Sequence, residues 1–150
     1  MKQSNGEQTS WHQLRECASL KYILLGDLRD LLEEPAGPLT SKWLLAVLDA
    51  LLDTLPREFE LKQQGGYLEE VLEQFPNWSG EVYRLRDEYE ELCQKLQDLR
   101  DQVAMEAPFT EIAAEVDRDL REWMTHLTAH TRHEHRVLQT AFNLDVGIGD

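Results

Sequence analysis

Positive charge, cysteine and turn-forming residues are all scarce in this 150-residue chain, and each shortage removes a class of protein. Fifteen Lys and Arg stand against twenty-nine Asp and Glu, a formal charge of −14 at pH 7. A nucleic-acid backbone or an anionic membrane surface calls for a cationic face, so neither is an expected partner. The two cysteines, Cys17 and Cys93, lack paired spacing, which excludes a disulfide framework and a CxxC metal or redox motif. No glycine-rich phosphate loop or nucleophile elbow is present. No apolar run approaches the roughly 20 residues that span a bilayer, and no signal-type run opens the sequence. Strand-type alternation is missing as well. The expectation is a cytoplasmic protein with a protein partner, as a monomer or a homodimer.

What the chain does have is apolar side chains at alternating steps of three and four, the mark of an amphipathic helix. After a polar lead-in over 1–10, expected to be disordered, Leu14, Cys17, Leu20 or Lys21, Leu24, Leu28 and Leu31 form a first stripe, closed by the Pro35-to-Pro38 segment. Thr40 or Ser41 is placed to cap a second helix with Leu44, Leu48, Leu51 and Leu55 on its face. Pro56 should kink this helix or begin a new one. Gly65-Gly66 breaks it, and Tyr67 to Phe75 reads as a short connector helix. A third long helix, from about Gly80 to Met105, carries Val82, Leu85, Tyr89, Leu92, Leu96, Leu99 and Val103. A fourth follows Pro108 and should fray after Phe142, leaving a tail over 143–150 that packs through Leu144, Val146 and Ile148. The prediction is an all-α fold, an antiparallel up-down-up-down four-helix bundle over 11–142 with a short connector helix between the second and third helices.

The stripe of the fourth helix is interrupted. Between Leu127 and Val137 or Leu138 the periodicity needs residues 130 and 134, which are His130 and Glu134, four apart and on one face. A buried carboxylate costs several kcal/mol unless something pairs with it. If the second helix keeps its face past Pro56, Glu58 and Lys62 fall on its seam; Tyr89 interrupts the third helix and Cys17 the first. In the predicted topology these positions all lie toward one pole. Bundles build metal sites by projecting carboxylates and histidines inward at one level, but a lysine ammonium has no lone pair and repels a cation.

Glu58-Phe59-Glu60-Leu61-Lys62 with the following Gly65-Gly66-Tyr67 resembles the His-Phe-x-x-Glu segment and Gly-Gly-Tyr of the hemerythrin-like, or HHE cation-binding, domain. Leu127 to Leu138 resembles that family's last helix with His-x-x-x-Glu, and Glu16-Cys17 and Glu88-Tyr89 stand where it has Glu-His. Over roughly residues 11 to 145 the resemblance implies a four-helix bundle and a non-haem di-iron centre. His130 and Glu134 match its ligands. Cys17, Glu58 and Tyr89 replace three histidines, and Lys62 replaces the bridging glutamate. The expectation is a degenerate member with no cofactor and no catalytic residue, in which Cys17, Glu58, Lys62, Tyr89, His130 and Glu134 form a core polar cluster in place of the metal. Within it, Glu58 accepts a hydrogen bond from His130, Lys62 pairs with Glu134, and the Tyr89 hydroxyl is a further partner.

Two other readings use the same residues. One is a metal-binding or sensing protein holding a single ion through Glu58, His130 and Glu134, with Cys17 as a fourth ligand; zinc tolerates that mixed set better than iron. The other is a metal-independent enzyme around Cys17, Lys62 and Glu134, which requires an open pocket and an unpaired Lys62. His126, His133 and His135 lie off the seam, as solvated groups near a helix C-terminus.

Overall fold

Leucine spacing winds the chain into helices, and their buried faces follow the stripes. The computed structural model describes residues 2–64, 66–105 and 108–149, with side chains over 11–142 apart from Pro38. Among the described residues there are four long helices and no strand: α1 (Lys2–Glu33), α2 (Pro38–Gln63), α4 (Ser79–Ala104) and α5 (Phe109–Gly149). The short helix α3 (Tyr67–Gln74) and a 3-10 turn (Pro76–Trp78) join α2 to α4, as the connector stretch predicts. No helix among the described residues is long and apolar enough to cross a membrane.

Helix ends differ from the expected ones. Backbone helix begins at Lys2, ahead of the stripe that opens at Trp11, and α5 runs to Gly149, past Phe142. The expected packing of Leu144, Val146 and Ile148 lies outside the described side chains. Gly37, in extended backbone, caps α2, and Thr40 serves as its third residue rather than its cap, with its Oγ1 accepting from the Gly37 N–H at 3.0 Å. Pro56 begins no new helix: α2 continues through it. Just before it, the Thr54 hydroxyl donates to Ala50 O at 2.7 Å, which satisfies a buried polar group within its own helix.

One apolar core runs through the molecule. Leu28, Leu44, Leu48, Leu51, Leu55, Leu85, Leu96 and Leu120 are buried in it, and Trp123 joins them with its indole N–H donating to Leu92 O at 2.8 Å. Lys21, not Leu20, turns inward on α1, since Leu20 is exposed. Val137, not Leu138, continues the α5 stripe into the core. Helix α1 packs on α2, α2 on α4 and α4 on α5. The interrupted stripe is buried as well: Glu58 is 2% exposed, Glu134 5% and His130 6%.

Candidate functional site

The polar core begins at the C-terminal end of α2. There α2 turns sharply into α3 through Gly66, where a Cβ would lie 2.7 Å from the carbonyl oxygens of Leu61 and Lys62. Only glycine fits so near the helix end. The turn starts α3 with Tyr67 beside the end of α2, so its hydroxyl reaches α5. Sequence and site meet at this point, because the close approach sets where Tyr67 stands relative to Lys62.

A row of alternating charges crosses the core. The Lys21 ammonium on α1 donates to Glu58 Oε1 on α2 at 2.8 Å. Lys62, one turn on from Glu58, lies 2.9 Å from that same oxygen and donates to Glu134 Oε1 on α5 at 3.0 Å. The Tyr67 hydroxyl closes the row with a 2.6 Å hydrogen bond to Glu134 Oε1. Two ammoniums and two carboxylates make it neutral. Desolvation opposes each buried ion, and short contacts to opposite charges on either side offset it. Burial alone would raise the Glu58 carboxyl, but Lys62 and Lys21 overcome it and hold it below the usual carboxylate range. Burial would likewise lower Lys62, yet Glu134 and Glu58 raise it above the ordinary lysine value, so it stays charged. The Tyr67 phenol is raised by burial and keeps its proton.

A second cluster clasps α4 to α5. Glu88 faces both His130 Nδ1 and His133 Nδ1 at 3.0 Å, and His133 Nε2 lies 3.1 Å from Glu81. With a carboxylate against Nδ1, His130 carries its ring proton there, which leaves Nε2 as a lone pair when the ring is neutral. Both ring nitrogens of His133 face carboxylates. Burial would lower its pKa, and the bonds to Glu88 and Glu81 raise it instead. Burial raises Glu88 too, but the two imidazoles bring its carboxyl below the ordinary value.

The expected pairing is therefore partly present. Lys62 meets Glu134 as predicted, while His130 bonds Glu88 rather than Glu58. The Tyr89 hydroxyl does not reach Glu58, Lys62, His130 or Glu134 and, among the described residues, has only the Cys93 thiol nearby; its ring stacks on Phe59 at 4.3 Å, and burial pushes the phenol up. Cys17 is buried, and burial raises its thiol above the ordinary cysteine value, which favours the protonated form. Lys62 has carboxylates on both sides, the opposite of the unpaired lysine that the metal-independent enzyme reading requires. His133 belongs to the α4–α5 clasp rather than to a solvated helix end.

Sequence reasoning missed Tyr67, Glu88 and the pairing role of Lys21. Lys21 left a trace as an alternative seam position, and Glu88 neighbours Tyr89 in a motif already singled out. Tyr67 left none beyond its place after the double glycine.

The donor set does not suit the di-iron centre that the resemblance implies. An ammonium holds the bridging position, hydrogen-bonded to Glu134 and against Glu58, and a lysine nitrogen in that state has no electron pair to give. Glu58 Oε2 and His130 Nε2 have no hydrogen-bond partner among the described residues, but a cation between them would face the same ammonium. Among the described residues no group of three or more His, Cys, Asp or Glu side chains is placed to hold a metal ion. Comparisons with protein-family models, curated proteins and solved structures returned no match.

Proposed function

We propose that this chain is a hemerythrin-like four-helix bundle, antiparallel and up-down-up-down, in which an internal ion-pair row replaces the di-iron centre, and that it works as a non-catalytic interaction or regulatory module. One observation carries the reading. Lys62 occupies the position that the resemblance gives to the bridging carboxylate, 2.9 Å from Glu58 and 3.0 Å from Glu134. A fixed positive charge there does the balancing that two metal ions would do, and it leaves no open coordination position or free nucleophile. The contacts of Lys21 with Glu58, Lys62 with Glu134 and Glu88 with His130 support the predicted bundle, since that topology puts these stretches at one pole. With the buried charges of the row paired, such a module meets a protein partner through surface groups, among which Trp43, Tyr22 and Ile23 are exposed.

Elemental analysis of protein purified without chelator or histidine tag, paired with a visible absorption spectrum, tests the proposal. The expected result is less than about a tenth of an equivalent of any transition metal and no charge-transfer band. About two irons per chain with such a band would return the chain to di-iron chemistry. One equivalent of zinc or iron would establish the mononuclear reading through Glu58, His130 and Glu134.

A further inference from the structure

Between α1 and α5 lies a cavity of about 230 Å³. Its floor is Leu25, Met124 and Leu127, and its polar groups include Lys21, Arg29 and Arg132. No carboxylate lines it, although acidic residues outnumber basic ones twenty-nine to fifteen in the chain. Two of the three positive charges around it are unspent, while the third, Lys21, is paired with Glu58. Arg84, Arg86, Arg100, Arg118 and Arg121 each pair with an acid, whereas Arg29 and Arg132, like Arg15, Arg57 and Arg136, have no ion-pair partner among the described residues. Lys21 has three N–H donors and directs one at Glu58. The hydroxyls of Thr128 and Thr131, also in the wall, donate back to Met124 O and Leu127 O, so their protons are committed within α5.

We propose that this seam binds a small aliphatic carboxylate, with its head on the cations of Lys21, Arg29 and Arg132 and its chain on Leu25, Met124 and Leu127. Charge complementarity selects an anion: a positive cavity in a chain of net charge −14 attracts what the rest of the surface repels. Guanidinium groups match the planar carboxylate in a two-point contact, and a compact head suits a cavity below the usual drug-sized range. The apolar floor selects a ligand with a short chain over a bare ion. Occupancy also reaches the buried row, because the bound head competes with Glu58 for the Lys21 ammonium. The inference stands whether or not the chain is hemerythrin-like.

Octanoate, titrated into the full chain and followed by methyl NMR, is the first probe, with octanol and octyltrimethylammonium as controls. Saturable shifts at Leu25, Met124 and Leu127 are expected with octanoate at up to millimolar concentration, and neither control should reproduce them. The double variant Arg29→Gln/Arg132→Gln, with both changes on exposed positions, should fold as before by circular dichroism and weaken octanoate about tenfold or more. Equal binding of octanol, undiminished binding by the double variant, or the absence of shifts at the three methyl-bearing residues would each overturn the proposal.

Discussion

Lys62 is nearly buried, and what it touches decides what its removal does. In Lys62→Met, Glu58 keeps Lys21, but Glu134 keeps the Tyr67 hydroxyl and, at 4.0 Å, the His130 ring, so one buried carboxylate loses its ammonium countercharge. The expected loss in a urea melt is about 3–5 kcal/mol, whereas a value under about 1 kcal/mol would identify a solvated ammonium. Adding Glu134→Gln to Lys62→Met removes the stranded charge and should recover most of the loss. These residues were legible in the sequence because each breaks an apolar period: His130, Glu134, Glu58, Lys62 and Tyr89 are all inward where the three-four spacing put them. Their partners were less so. Tyr67 and Glu88 act through the reach of long side chains from positions that a period marks as connector or surface, and no spacing argument encodes that reach.

At the scale of the element, the α4–α5 clasp makes stability depend on pH in a defined window. The raised pKa of His133 means that its contribution is full below the unfolded histidine value, about 6.5, and is lost as pH climbs through the folded value. The lowered pKa of Glu88 means that its share is present above the unfolded value, about 4.3, and is lost as pH falls through the folded one. His133→Asn should therefore lower the melting temperature most between about pH 4.5 and 6.5, and the difference should shrink as pH rises through the raised folded value. A difference that does not change with pH would show that His133 takes up its proton alike in the folded and unfolded chain. Glycines offer a second test at this scale. A Cβ at Gly66 would meet backbone of Leu61 and Lys62, and Gly66→Ala should cost about 1–3 kcal/mol through the forced shift. At Gly26, inside α1, a Cβ meets nothing within 4 Å, and Gly26→Ala should stabilise by about 0.5–1 kcal/mol. Urea melts of the two variants should move in opposite directions. Helix existence was legible from the stripes, but helix ends were not: Pro56 reads locally as a break, yet the tertiary contacts of Leu55 and Phe59 hold one continuous helix across it.

For the whole molecule, the proposed function makes stability independent of metal. Dialysis against a chelator should leave the melting temperature within about 2 °C, since a ligand that is not bound contributes nothing to the folded state. A drop of many degrees, reversed by adding zinc or iron, would mean that a bound ion supports the fold. The neutral row of Lys21, Glu58, Lys62, Glu134 and Tyr67 has one more consequence, which concerns mutational paths. Lys62→Glu on its own would gather three carboxylates around one point, and losing Lys21 or Glu58 alone would leave a buried charge unmatched. A neighbouring sequence that loses or reverses one of the four charges is therefore less stable than either balanced arrangement. The interior charges can change sign only together, so the row acts as a ratchet: single substitutions accumulate freely on the outer faces of the helices while this line through the core stays as it is.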